Sequence, residues 1–256
     1  MAPETKPSTR FQSVLQRAIH NENIILSLII VAVIILMGAM NPVRFFRIGN
    51  LQSMAFQLPE LGLLSLGMML IMLTGGINLS VVATANMAGI SAALVLQALA
   101  PPEVVTGPGF TATVAAVATG LAVSMAVGLG NGVLVAFVGV SPILATLGMM
   151  TLLNGLTIVI TKGYVISGFP PAFQFIGNGL ILGIPVPILI FAAVAVIFGI
   201  LLGRAPFGFE VYMFGTNETA ARFSAISSVS VLLKSYIYSG LLSGIAAMIM
   251  ISRFNS

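Results

Sequence analysis

The sequence contains no cysteine, no aspartate and no tryptophan, and it has a single histidine, His20. The absence of cysteine excludes disulfides, thiolate metal sites and thiol nucleophiles. One histidine without any aspartate cannot supply an H-E-x-x-H zinc site or a Ser/His/Asp triad. A G-x-x-x-x-G-K loop for nucleotide phosphates is also missing. We therefore expect a chain that is not an enzyme and that binds no metal or cofactor of its own.

Charge is equally scarce, because charged residues make up 6% of the chain against about 25% in an ordinary globular domain. Between Glu60 and Lys162 the only ionisable side chain is Glu103. Hydrophobic residues make up 58% of the chain, and the mean hydropathy is +1.13. These values predict an all-α, polytopic membrane protein whose main solvent is the lipid bilayer. The net charge of +4 then reports orientation in the membrane, and we expect no nucleic-acid partner.

About 20 apolar residues cross a bilayer as a helix, and the sequence offers seven such segments. If the N-terminus is cytoplasmic, six crossings return residues 204–230 to the cytoplasmic side. This orientation also places six of the ten Lys and Arg residues inside the cell. The predicted spans are residues 24–40, 54–74, 81–99, 111–138, 143–160, 180–202 and 231–251.

Residues 1–23 are predicted to be a cytoplasmic tail that precedes a membrane domain at residues 24–256. From Ser8 onwards, Phe11, Val14, Leu15 and Ile19 recur at helical spacing, with basic and amide residues between them. This pattern predicts an amphipathic helix that lies in the headgroup layer of the membrane.

A polar interruption stands between the second and third apolar segments, where Gly75, Gly76, Asn78 and Ser80 follow one another closely. Such a break frees backbone groups that lipid cannot satisfy, so it either lines a cavity or forms a turn at the membrane surface. Both interpretations stay open on the sequence alone.

Two further polar residues are candidates for a solute pathway. Asn131 lies between two glycines and either faces a pathway or packs between helices. Glu60 follows Pro59, a pair typical of a helix start, although an acid inside a membrane also suggests a functional role. Small residues at four-residue spacing predict close helix packing, and they are Ser124, Gly128, Gly132, Gly240 and Gly244.

The stretch 204–230 is the only long one with repeated charge. Asn217 is placed to cap a short helix whose first turn holds Glu218. Phe223 and Ile226 give this helix an apolar edge. The helix is suited to docking into a partner's groove, or alternatively it packs on its own bundle.

Four blocks of sequence, in order between Phe45 and Ala247, resemble one family: the ribose-type permease subunits of bacterial ABC importers for simple sugars, related to the branched-chain amino-acid permeases. The blocks are residues 67–80, Asn131–Gly132 with 142–149, 175–187, and 215–226. The chain differs from the family where Asn78, Val82 and Ala225 replace the usual Asp, Gly and Gly. Family members also continue beyond the seventh span, so we expect a shortened chain that lacks their C-terminal part.

The resemblance implies a subunit of the bacterial inner membrane that pairs with a second permease copy or a homologue. A periplasmic sugar-binding protein would deliver the solute, and cassette subunits that carry ATP and Mg would dock on the loop 204–230. The implied coupling contacts are Asn217, Glu218, Ala221, Arg222 and Phe223. The pathway candidates are Gly75, Gly76, Asn78, Ser80, Asn131 and Glu60.

Two other functions stay open at this point. One is a secondary transporter or channel that works without an ATPase, for which Glu60 is the only candidate coupling acid. The other is a truncated permease fragment that binds cassettes without transporting. The sequence does not specify which sugar is carried, or whether the two permease subunits are identical.

Overall fold

A computed structural model describes residues 22–100 and 109–255. The predicted amphipathic helix after Ser8, the histidine His20 and the loop 101–108 lie outside the described residues. The described chain is almost entirely helical, which confirms the all-α class. Its elements are α1 (Glu22–Met40), α2 (Pro42–Phe45), α3 (Ile48–Leu73), α4 (Val81–Leu99), α5 (Phe110–Ala136), α6 (Pro142–Thr161), α7 (Pro171–Asn178), β1 (Leu180–Ile181), β2 (Ile184–Pro185), α8 (Val186–Arg204), α9 (Pro206–Thr216), α10 (Glu218–Phe223) and α11 (Ser228–Phe254).

Six of the described helices are long and apolar enough to cross a membrane: α3, α4, α5, α6, α8 and α11. The predicted first span is present as the apolar run Ile24–Met40 of α1, which is shorter than these six. The chain is therefore a multi-pass membrane protein, as its composition predicts.

The chain divides into two compact units, residues 1–53 and residues 54–256. In the first unit, a Cβ atom on Gly38 of α1 would lie 2.8 Å from the ring of Phe46, so glycine is what permits this close contact. The Asn50 side chain donates a hydrogen bond to the Phe45 carbonyl at 2.9 Å.

In the second unit, α11 is the central helix and packs against α4, α5 and α7. Glycines set the separation of α5 and α11. A Cβ on Gly128 would collide with the backbone oxygen of Tyr236, and one on Gly240 would collide with the backbone oxygen of Ser124. The packing role predicted for the small residues is thus confirmed, and it matters because lipid supplies no hydrophobic drive for helix association.

One boundary predicted from the sequence is wrong. The sixth span begins at Val186 rather than at residue 180, because residues 180–185 form the hairpin β1–β2. Its two turn residues, Leu182 and Gly183, have φ values of +53° and +82°, which a helix cannot accommodate. The stretch between the predicted fifth and sixth spans contains α7, whose Phe173 is fully buried.

Candidate functional site

The polar interruption at residues 74–80 is a break between α3 and α4 in the second unit. Gly75 adopts a φ of +80°, a value that favours glycine. A Cβ on Gly76 would lie 3.1 Å from the Pro142 side chain at the start of α6, so glycine lets the two segments approach closely. The break is therefore packed against protein, which is the condition for irregular backbone at membrane depth.

Three of the predicted pathway residues meet in one buried hydrogen-bond network. Asn78 is 4% exposed and its Nδ2 donates to Ser239 Oγ on α11 at 3.0 Å. Its Oδ1 accepts from both the backbone N–H and the hydroxyl of Ser80, at 3.0 and 2.8 Å. Asn131 Nδ2 on α5 donates to Ser80 Oγ at 2.8 Å. Hydrogen bonds between amide and hydroxyl groups thus connect the break to α5 and α11.

Thr146 on α6 makes further hydrogen bonds with the break. Its Oγ1 accepts a hydrogen bond from the Leu79 N–H at 3.1 Å and lies 2.8 Å from the Pro142 carbonyl, to which it can donate. Thr146 is completely buried. The backbone of the break is therefore held by α6 as well as by α5 and α11.

Some buried polar atoms near the network lack a hydrogen-bond partner. Among the described residues, the buried atoms Asn131 Oδ1, Ser235 Oγ and Tyr236 Oη have no hydrogen-bond partner. Ser235 precedes Ser239 by one helical turn, so both lie on the same face of α11. Buried polar atoms without partners are costly and uncommon in native structures.

The predicted short helix forms α10, and Asn217 caps it as expected. Asn217 Oδ1 accepts from the Ala220 N–H at 3.0 Å. Glu218 and Arg222 form an ion pair at 3.0 Å across one turn, and Arg222 Nε also donates to Ser228 Oγ at 3.1 Å. Arg222 is thus held by contacts on both sides.

The two faces of α10 differ sharply in burial. Ala221 is fully buried against the bundle, whereas Phe223 is 89% exposed. Ala225, which follows the helix, has a φ of +61°. This left-handed conformation favours glycine over alanine.

The break and the α10 region are physically connected. A Cβ on Gly215, near the end of α9, would collide with the carbonyl oxygen of Leu73, the last residue of α3. A cleft of about 420 Å³ is lined on one side by Thr74 and Gly75 and on another by Glu218 and Arg222. The pathway candidate Gly75 and the coupling candidates Glu218 and Arg222 thus face the same cleft, although they lie far apart in sequence.

Glu60 lies apart from these residues, and its predicted position at a helix start is wrong. Pro59 and Glu60 lie inside α3, which begins at Ile48. Glu60 forms a partly buried ion pair at 3.0 Å with Arg253, in the last turn of α11. Arg253 also lies over the Phe254 ring, 4.9 Å from its centroid. The pair joins the two helices at the end of α11 remote from α10.

Sequence reasoning missed Thr146 and Ser239, the partners of the break on α6 and α11. A signal for Ser239 exists, because Ser235, Ser239 and Ser243 repeat every four residues and share one helix face. Thr146 stands inside an otherwise apolar stretch, and its only distinction is that it lies in a block shared with the resembled family.

The fold and the site define a multi-pass helical membrane protein whose second unit contains a broken segment held by buried amides and hydroxyls. The family of branched-chain amino acid transport system permease components matches residues 50–256. The chain belongs to this family. The resemblance identified from the four sequence blocks is confirmed, and with it a multi-pass protein of the inner membrane.

Curated relatives include permeases of two import systems. The ribose import permease protein of Bacillus subtilis (strain 168) is 35% identical over 225 residues, which cover 87% of this chain and 66% of that protein. The autoinducer 2 import system permease protein of Enterobacter sp. (strain 638) is 30% identical over 237 residues, which cover 90% of this chain and 69% of that protein. The chain thus spans about two thirds of the length of these relatives. No solved structure matches the chain.

Proposed function

We propose that this chain is a membrane-spanning subunit of an ABC importer that carries a monosaccharide or a similar small, neutral, polar solute across the inner membrane. Its family and the import systems of its relatives support this assignment. The polar residues of the break also support it, because amides and hydroxyls bind hydroxylated solutes without requiring charge on them.

The cleft shared by the break and α10 is the observation that carries the proposal. A cassette subunit that binds ATP and Mg docks on the exposed side of α10, around Phe223, while buried Ala221 anchors the helix to the bundle. Movement of α9 and α10 reaches the break through the contact of Gly215 with Leu73. The break then exchanges partners between two states, as in other switches driven by a ligand at each end.

The proposed assembly has two permease subunits, two cassettes and a periplasmic sugar-binding protein. Asn217, Glu218, Ala221, Arg222 and Phe223 are the coupling contacts, whereas Gly75, Gly76, Asn78, Ser80 and Asn131 belong to the pathway. Glu60 has a structural part in this proposal, since Arg253 neutralises it away from the break.

Co-purification tests the docking role of α10. The chain is extracted gently from its native membrane and the retained proteins are identified by mass spectrometry. We expect a cassette subunit, and we expect Arg222→Glu to release it, because the change breaks the contacts with Glu218 and Ser228. Arg204→Glu is the matched control, since Arg204 ends α8 outside the α10 helix and its change is expected to retain the cassette.

Uptake into vesicles then separates the alternatives. Vanadate-sensitive uptake of D-ribose is the expected result for an importer that is driven by a cassette. Uptake that follows an ion gradient and ignores vanadate would instead identify a secondary transporter. A docked cassette without uptake would identify a permease fragment that does not transport.

A further inference from the structure

A second cleft lies in the 54–256 unit, at the end opposite to α10. It has a volume of about 300 Å³ and is bounded by α4, α6, the segment 163–166 and the last turns of α11. Pockets for small molecules range from about 300 to 1,000 Å³, so this one suits a single small solute. In the predicted orientation this end of the bundle faces the periplasm, from which an importer receives its solute.

The polar groups of this cleft favour a ligand that donates hydrogen bonds. Thr157 Oγ1 donates to the Asn154 carbonyl and Thr161 Oγ1 donates to the Thr157 carbonyl, each at 2.9 Å. Both hydroxyl protons are therefore engaged, and each oxygen keeps a lone pair that can accept a hydrogen bond. The Gly163 N–H donates a hydrogen bond to one lone pair of Thr161 Oγ1, at 3.2 Å, and the other lone pair remains available. Sugar hydroxyls are donors of the required kind.

Asn86 supplies both a donor and an acceptor at the same cleft. Its side chain is exposed, and it has no hydrogen-bond partner in residues 22–100 and 109–255. Asn86 lies on α4, across the cleft from the two threonines of α6. A small polyol in the cleft could thus contact two helices that pack on each other.

The rest of the lining is uncharged. Tyr164, which is 77% exposed, and the side chains of Ile90 and Ile166 offer apolar surface to the carbon face of a sugar ring. No Lys, Arg, Asp or Glu of the described residues lines the cleft. A zwitterionic amino acid would leave its ammonium and carboxylate groups without opposite charges here, which disfavours it relative to a neutral solute.

We propose that the cleft between Asn86, Thr157, Thr161 and Tyr164 is the site at which a neutral, hydroxylated solute first binds the membrane domain. This inference rests on the proposed transport function and adds to it the entry site and its selectivity against zwitterions. The residues concerned belong to none of the pathway candidates identified from the sequence.

Cysteine protection tests the site, because the chain has no cysteine of its own. Asn86→Cys is introduced into the full chain, and right-side-out vesicles are treated with a membrane-impermeant methanethiosulfonate reagent. Labelling is timed with D-ribose, with L-leucine and without solute. Gln97→Cys is the matched control, since Gln97 is also an exposed amide of α4 but does not line the cleft.

We expect D-ribose to slow the labelling of Asn86→Cys several-fold, while L-leucine leaves it unchanged and neither solute affects Gln97→Cys. Equal protection by L-leucine would overturn the selectivity, and a lack of protection by D-ribose would overturn the site. D-ribose uptake by the unsubstituted chain in the same vesicles distinguishes the two proposals. Uptake without protection would refute this entry site alone, whereas absence of both uptake and a bound cassette would refute the proposed function.

Discussion

The hydroxyl of Ser80 connects the break to α5. It donates to Asn78 Oδ1 and accepts from Asn131 Nδ2, both at 2.8 Å, in a position with no exposure. A serine hydroxyl has one donor and two acceptor positions, so Ser80 performs both roles in a single place. Its removal leaves an amide donor of Asn131 without a partner inside the bundle.

Ser80→Ala is therefore expected to lower the free energy of unfolding by about 1–3 kcal/mol, the cost of a buried polar group without a partner. Ser91→Ala is the control, because the Ser91 hydroxyl only donates to the Met87 carbonyl of its own helix. We expect its effect to stay within about 0.5 kcal/mol. Unfolding of both variants in detergent is followed by far-ultraviolet circular dichroism. Equal losses of stability would show that the Ser80 network contributes nothing specific.

Single residues also show where prediction from sequence reached its limit. Gly75, Gly76, Asn78 and Ser80 indicated the break because polar and glycine residues are conspicuous in apolar sequence. The Asn78 contact with Ser239 spans 161 residues, and no local pattern encodes such a partner. The Pro59–Glu60 pair misled because it lies inside α3, which begins at Ile48, and the partner of Glu60 is the distant Arg253.

At the scale of elements, Gly215 lets the backbone of α9 approach the last residue of α3, and the proposed coupling between α10 and the break depends on this contact. Gly215→Ala places a methyl group against the Leu73 carbonyl, and such overpacking costs about 1–3 kcal/mol. A cost of about 1.4 kcal/mol changes an equilibrium tenfold, so solute uptake is expected to fall about tenfold. The docking surface of α10 is unchanged, so we expect the cassette to stay bound.

The control for Gly215→Ala is Gly203→Ala, because no atom outside the adjoining part of its own helix lies within 4 Å of the added Cβ. We expect normal uptake and normal cassette binding from it. Uptake and the amount of bound cassette are measured on the same vesicles. Loss of the cassette in Gly215→Ala would mean that the substitution disrupts α10 itself rather than its connection to the break.

Elements were predicted well where periodicity and length agree, and poorly where turn chemistry decides. The helices α4, α5 and α6 begin and end within about two residues of their predicted bounds, because their apolar runs match the thickness of a bilayer. Residues 180–185 are also apolar, yet Gly183 takes a positive φ, and Pro187 in the first turn of α8 favours a helix start at Val186. The hairpin therefore replaced the first turns of the predicted span.

At the scale of the whole molecule, α11 extends from the α10 region to the proposed entry cleft. Its 27 residues extend about 40 Å, enough to cross a bilayer. Its first turn carries Ser228, the partner of Arg222, and its last turn carries Arg253, the partner of Glu60. The α10 region and the entry cleft therefore belong on opposite sides of the membrane.

Single cysteines test this topology. Phe223→Cys and Tyr164→Cys both replace highly exposed rings in a chain that is otherwise free of cysteine. In intact right-side-out vesicles, an impermeant thiol reagent is expected to label Tyr164→Cys and to spare Phe223→Cys. Permeabilised vesicles should label both. The reverse pattern in intact vesicles would invert the predicted orientation.

The ion pair of Glu60 with Arg253 also forms late in the synthesis of the chain. Its partners are 193 residues apart, and at a synthesis rate of about 5–20 residues per second the arginine emerges about 10–40 s after the glutamate. During that interval Glu60 lacks its partner Arg253. The same delay applies to Asn78, whose partner Ser239 is also made late. The contacts of Glu60 and Asn78 with α11 therefore form only after α11 has been synthesised.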